Sequence, residues 1–334
     1  MVSSSDIGTQ LSTQFLLKML RGQLNETQRQ IGSGKKSATL ANMGTLGASN
    51  SIAYRNKVSV LKGYTDNLNA GKAKFSVMDK SLGLMTNDAR EVMTHLRSQL
   101  QGTTPQAAIV SNQASGMLSN VLSQLNAQVN GQYQFAGDNL YTPPFASQAA
   151  LDTNVGGLVP GFLAGAPTVS SVVAAARGVT GANLGFSADV LTSGSVKFRA
   201  DDGTDIDYTV KATQAGFADV IRGMTLIKNL PQPTTQAEQN NYWVVVNAAI
   251  QLIDEGSKAI DSYQGVLGTK AKLVDNLIAQ HNETAGTFED FIGSVEDVDV
   301  AEATTKLQSL QTQLQMSYSI IGQMQGLSLV NYLR

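Results

Sequence analysis

The chain has 334 residues, a formal net charge of -2 and only 15% charged residues, which removes the electrostatic case for nucleic acid or an anionic membrane as a partner. It contains no cysteine, so disulfides and thiolate chemistry are excluded. No apolar run approaches the roughly eighteen residues of a membrane span, and no basic stretch followed by an apolar core opens the chain, so a cleavable signal peptide is not expected.

The near-neutral average hides an asymmetry. Residues 1–100 hold thirteen Lys or Arg against six Asp or Glu, whereas residues 246–302 hold three against eleven. Two segments of opposite sign attract when packed side by side, although each exposed pair contributes only tenths of a kcal/mol.

Apolar residues three and four apart run through Ile7, Leu11, Leu17, Leu20, Leu24, Thr27 and Ile31 and predict a helix. Gly32 and Gly34 interrupt it, because glycine costs a helix about 1 kcal/mol relative to alanine. Here the segment GSGKKS resembles a phosphate-binding loop, but Arg29 stands where that motif needs its first glycine and Lys36 where it needs a hydroxyl. A helix also precedes it where a strand is required, so the glycines are read as a joint. Lys36 to Ser51 shows no clear period and reads as a loop or weak helix.

The pattern resumes from Leu61 through Leu68, Phe75, Met78, Leu82, Met85, Ala89, Val92 and Leu96 to Gln99. Gly102 to Pro105 ends that helix, with Thr104 a candidate cap and Pro105 a candidate first helical residue of the next. The return helix carries Ala114, Leu118, Val121, Leu125 and Val129 and is expected to stop near Asn130-Gly131. From Asp138 to about Pro233 glycine and proline become frequent. Val196 and Phe198, then Ile206, Tyr208 and Val210, alternate with polar neighbours on either side of Asp201-Asp202-Gly203-Thr204, which predicts a β-hairpin. A short amphipathic helix with Phe217, Val220, Ile221, Met224, Ile227 and Leu230 follows, closed by Pro231 and Pro233.

The second helical half runs from Val246 through Ile253, Gly256, Ile260, Leu267, Val274 and His281 to Phe291. The acidic break VEDVDVAE (Val295 to Glu302) precedes Leu307, Leu310, Leu314, Ile321 and Met324. Such seams need partners, so the basic N-terminal helices are expected to pack on the acidic C-terminal ones. The predicted fold is mainly α with a small α+β insert, a long antiparallel helical bundle or coiled coil built from both halves. The predicted division is 1–45 with 300–334 as terminal assembly helices, 46–137 with 242–299 as the long bundle, and 138–241 as an inserted β-containing domain.

Little in the residues supports catalysis. His95 and His281 lack the spacing of a metal pair. Glu296, Asp297, Asp299 and Glu302 lack the glycine and ligand spacing of a calcium loop and read as a cap for the last helix. Asp201, Asp202 and Asp205 belong to a turn, Trp243 reads as a packing anchor, and residues 138–241 hold neither histidine nor cysteine. No enzyme activity, cofactor or metal is expected. The terminal stripes are instead expected to bury against neighbouring subunits. The expected interface residues are Leu17, Leu20, Leu24, Ile31, Leu307, Leu310, Leu314, Ile321, Met324 and Leu327, with Gly32 and Gly34 as a hinge.

Four segments carry a family resemblance: QLNETQRQIGSGKK, YQFAGDNLYTPPF (Tyr133 to Phe145), SVEDVDVAEATTKLQSLQTQLQ and the ending LSLVNYLR. They resemble the flagellin-like axial proteins of the bacterial flagellum, the TPPF segment and the tail being most similar to the hook–filament junction proteins. The segment SATLANMGTLGASNS departs from the acidic, proline-containing stretch usual in that family. The resemblance implies a structural, extracellular protein exported unprocessed through the flagellar channel. It implies self-assembly into a ring, the preceding hook-associated junction protein and flagellin as neighbours, and a cytoplasmic export chaperone. The alternatives are a divergent flagellin filament subunit and an intracellular coiled-coil adaptor.

Overall fold

The computed structural model describes the backbone of residues 4–102 and 104–332 and the side chains of residues 11–102 and 104–323. In chain order the helices are α1 (Ser4–Ser33), α2 (Gly44–Leu100), α3 (Ala107–Leu125), α4 (Gln148–Asn154), α5 (Val159–Ala164), α6 (Val169–Gly178), α7 (Ala188–Thr192), α8 (Ala215–Lys228), α9 (Gln236–Glu296) and α10 (Val300–Tyr332). Two antiparallel hairpins, β1 (Gln128–Val129) with β2 (Gln132–Tyr133) and β3 (Lys197–Asp201) with β4 (Thr204–Asp207), complete a mainly α fold. The chain divides into two compact units, Met1–Lys62 with Asn282–Arg334 and Gly63–His281.

In the second unit the heptad reading of α2 and α9 holds closely. Leu68, Phe75, Met78, Leu82, Met85, Ala89, Val92 and Leu96 are buried, and so are Val246, Ala249, Ile253, Ile260, Leu267 and Val274. The charge asymmetry becomes an antiparallel ladder of exposed pairs, Lys72–Asp275 at 2.6 Å, Arg90–Asp261 at 2.7 Å and Arg97–Asp254 at 3.7 Å. At this exposure the pairs set register more than they add stability.

Helix α3 departs from expectation at both ends. It starts at Ala107 with Gln106 as N-cap and no side-chain cap, so Thr104 and Pro105 do not play the roles expected of them. The amide of Ala107 instead donates to Gln232 Oε1 at 3.2 Å, and Gln232 Nε2 donates to the Pro105 carbonyl at 2.8 Å. A residue between the two prolines of the later linker thus satisfies the helix start. At the other end α3 stops at Leu125, and Asn130 (φ 51) with Gly131 (φ 75) forms the turn of the β1–β2 hairpin. Val129 is therefore a strand residue, because Asn-Gly is a two-residue hairpin signal before it is a helix stop.

The hairpin expected around Asp201 to Thr204 is present, with Phe198 opposite Ile206 and a bulge between Arg199 and Asp201. Gly203 at φ 73 supplies the left-handed turn position. His281, which is buried, makes a 2.8 Å hydrogen bond through Nε2 with the Ala200 carbonyl and lies against Tyr64. The Asn67 amide donates to the Arg199 carbonyl at 2.7 Å. Both contacts tie the hairpin to the long helices.

Helix α8 was expected to be amphipathic, yet every residue from Gly216 to Ile227 is buried. A helix covered on all sides is a core element, and α8 packs on α3. The two charged side chains of that buried stretch are neutralised in place. Asp219 and Arg222 pair at 2.7 Å, Arg177 of α6 reaches Asp219 and Glu255 at 2.6 Å each, and Arg222 donates to the Val179 carbonyl at 2.8 Å. The short helices α4 to α7 contribute Leu151, Val159, Val172, Val173 and Val190 to the same hydrophobic core as α2, α3 and α9.

Candidate functional site

In the first unit α1 packs along α10. Leu20 and Leu310 are buried, and Leu17, Leu24, Ile31, Leu307, Leu314 and Ile321 are half-buried. Thr27 is buried as well, its hydroxyl donating to the Gln23 carbonyl. The side chains of Ile7, Met324 and Leu327 lie outside the described residues. Arg21 reinforces the pair, donating to the Tyr318 hydroxyl at 3.0 Å from Nε and lying 5.7 Å from the Tyr318 ring centre. Thus the stripe expected to face neighbouring subunits is used first inside the chain, joining its two ends.

Further apolar residues remain uncovered on each helix. Leu11 is 63% exposed and Phe15 72%, with Met19 in line four residues on; on α10, Met316 is 59% and Ile320 55% exposed. At about 100° per residue the Leu11–Phe15–Met19 stripe lies roughly 150° around α1 from the Leu20–Leu24–Thr27 seam. Leu11 therefore drops out of the seam in which its spacing had placed it. The missed signal was Phe15 and Met19, apolar residues out of phase with the heptad and on a common face with Leu11.

The two helix breaks meet in this unit. Gly34, with φ 70, ends α1 in the left-handed conformation favouring glycine, its amide donating to the Gln30 carbonyl at 2.9 Å. Gly32 is still helical, so only Gly34 of the two expected hinge glycines has a backbone that favours glycine. Lys35 bridges to Asp297. The Lys36 amide donates to the Glu296 carbonyl at 2.7 Å and the Val298 amide to the Gly34 carbonyl at 3.0 Å.

Side chains close the same junction. The carboxylate of Glu296 is nearly buried, and it accepts from the Ser51 hydroxyl at 2.5 Å and from Arg55 Nη2 at 2.8 Å, with Lys35 Nζ at 3.4 Å. Burial alone would raise its pKa, but the Ser51 and Arg55 hydrogen bonds and the Arg55 charge outweigh it and hold the group below its ordinary value. Lys35 also reaches Asp297 at 2.5 Å, and that hydrogen bond raises the lysine pKa against the opposing effect of desolvation. Lys36 Nζ donates to the Ser294 carbonyl at 2.7 Å. Sequence reading placed Ser51 in a loop or weak helix. In the structure α2 already runs from Gly44, supported here by Tyr54 against Phe288 and Phe291 at 5.9 and 5.6 Å, tertiary contacts overriding weak periodicity. Beyond the junction Asp299 caps α10, accepting from the amides of Ala301 and Glu302 at 2.9 and 3.1 Å.

The lysines of GSGKKS thus point their ammonium groups at a carboxylate pair and at helix-end carbonyls, so both are already engaged within the chain. Among the described residues no three His, Asp or Glu side chains converge as a metal cluster, and no helix is long and apolar enough to cross a membrane. His95 is half-exposed, 3.8 Å from Glu91. Trp243 packs edge-on against Tyr242 at 5.0 Å and is a packing residue.

A pair of terminal helices from opposite chain ends, clipped together at their breaks and each apolar on two faces, is a flagellin-like arrangement. Residues 250–333 match the bacterial flagellin C-terminal helical region. The fold is similar to that of a flagellar hook-associated protein from Vibrio parahaemolyticus (TM-score 0.55, 13% identity), covering 77% of this chain and 100% of that one. It is similar also to FlgL from Bacillus cereus (TM-score 0.51, 13% identity), covering 72% and 99% of the two chains. No curated protein matches the chain in sequence. The chain therefore has a hook-associated, FlgL-like fold with a flagellin-type C-terminal region. These matches are to structural components of the flagellum rather than to enzymes.

Proposed function

We propose that the protein is a structural axial component of the bacterial flagellum that joins the hook to the filament. Its terminal segments, 1–45 and 300–334, form the inner assembly region, and the rest of the chain forms the body. Several copies assemble on the preceding hook-associated junction protein and offer a surface to flagellin. The observation that carries the reading is the uncovered apolar residues Leu11, Phe15 and Met19 on α1 and Met316 and Ile320 on α10, helices whose C-terminal member lies in the flagellin-type region. Large exposed apolar patches mark interaction sites. Because the predicted seam is occupied within the chain, the intersubunit contact is assigned to this outer stripe, with the edges of the Leu17–Leu24–Ile31 and Leu307–Leu314–Ile321 rows at its margin. Gly34 and the 297–299 break set the direction of the terminal pair.

An apolar stripe of this kind also calls for cover before assembly, which supports an export chaperone on the C-terminal helix and export to the cell exterior without a cleaved signal. Imaging a deletion strain tests the reading. Hooks without filaments, with flagellin lost to the medium, are expected; normal filaments would overturn it. Since the family match is to flagellin itself, a bulk filament subunit is the second reading. Immunogold label along the whole filament would favour that subunit, and label confined to the distal end of the hook favours the junction.

A further inference from the structure

We propose that Glu296 is the latch of a coupled release, by which α1 and α10 open and re-form as one element rather than as two independently fraying ends. The break after α1 runs from Gly34 to Met43 and that after α9 from Asp297 to Asp299, and they are held to each other by the Lys36–Glu296 and Gly34–Val298 backbone hydrogen bonds. Neither break can straighten or melt without losing both. Glu296 concentrates the side-chain contacts of this junction. It receives Ser51 and Arg55 from α2 and Lys35 from the segment after α1, while Asp297 holds the other side of Lys35 and Lys36 covers the last carbonyls of α9.

The charged side chains facing Glu296 are thus Lys35 and Arg55 directly on it and Asp297 beside it, with Lys36 on the neighbouring carbonyls. Glu296 is buried, and its loss leaves Arg55 without a carboxylate and Lys35 with Asp297 alone. Lys35 and Arg55 are about half exposed and can turn to water. Beyond the latch, α1 and α10 lean on one another through Leu20 and Leu310, so freeing one removes the support of the other. The mechanical coupling is intrinsic to the chain and does not depend on the flagellar reading.

Hydrogen–deuterium exchange on the full-length monomer tests it. In Glu296→Gln the charge-assisted contacts are lost while the shape is kept, and exchange in α1 and α10 is expected to rise together by roughly tenfold. The amides of α8 in the other unit keep their rates. Lys35→Met, which leaves the Arg55 contact intact, gives a smaller rise of the same factor in both helices. Glu26→Gln, which breaks only the pair with Arg29 inside α1, leaves α10 unchanged. Acceleration confined to residues 294–299, or a rise in one helix without the other, would overturn the proposal. Should Glu296→Gln fail to fold, Lys35→Met alone decides between equal and unequal response.

Discussion

Helices α8 and α9 approach so closely at Gly256 that one methyl group should decide the stability of the second unit. A Cβ built on Gly256 would lie 2.6 Å from the Gly216 carbonyl oxygen, 2.8 Å from Val220 Cγ2 and 2.9 Å from the Val220 amide nitrogen. Two of these three atoms are backbone of a helix that is itself buried, so no side-chain rotation relieves the clash. The approach is mutual: a Cβ on Gly216 would meet Ala259 Cβ at 2.8 Å, and one on Gly223 would meet Ile253 Cγ1 at 2.6 Å. Gly256→Ala gains about 1 kcal/mol of helix propensity and costs about 3 kcal/mol in overpacking, a net loss of about 2 kcal/mol. Gly268, in the same helix with nothing within 4 Å of its Cβ position, serves as the control, because Gly268→Ala keeps only the propensity gain. Urea unfolding followed through Trp243, the single tryptophan and a residue of that unit, measures both. Opposite signs are expected. A Gly256→Ala protein as stable as Gly268→Ala would refute the claim that backbone contact fixes the α8–α9 distance.

Phe15→Asp, on the uncovered stripe, should shift monomer unfolding by less than about 0.5 kcal/mol yet abolish filament growth on isolated hooks, whereas Leu20→Ala, on the inner seam, should cost about 2 to 3 kcal/mol. Asp219→Ala leaves the buried Arg222 without its carboxylate and Arg177 with only Glu255; about 3 kcal/mol should be lost in urea unfolding. Glu296 has a folded-state pKa below its ordinary value of 4.5, so its contribution is present in full above that value and disappears as pH falls through the depressed one. Acid titration of stability should show this falling limb in the wild type and a flatter one in Glu296→Gln.

How much of this was legible in the sequence depended on where a residue's partners lie. Along α2 and α9 the three-four spacing read the buried face correctly, because each helix has one dominant partner face and the pattern records it. The β3–β4 hairpin was equally legible, since Asp202-Gly203 between alternating runs has a local cause. Asn130-Gly131 carried the same information and was read as a helix stop, because Val129 happened to continue the apolar period of α3. The α8 environment was not legible. Gly216, Gly223 and Gly256 resemble ordinary weak points of a helix until the opposing backbone is known, and Asp219 and Arg222 resemble a solvated pair. The Glu296 junction joins Lys35, Ser51 and Arg55 across more than two hundred residues, and no local pattern reports such a convergence.

The terminal helices show a subtler limit. From Leu11 to Leu24, α1 is apolar on two sides, and a heptad count assigns all of it to one seam. Helices apolar on more than one side are covered on more than one side, and α10 covers only the side that carries Leu20 and Leu24. The remaining stripe has no function in the fold of the first unit: Phe15 leaves 72% of its surface exposed and nothing in that packing needs an aromatic there. An uncovered stripe on a helix that is already paired is best explained by a partner present only after assembly. On the proposed reading the Glu296 junction matters to assembly because it holds α1 and α10 as a ready-made pair, so a neighbour would not have to order two separate ends.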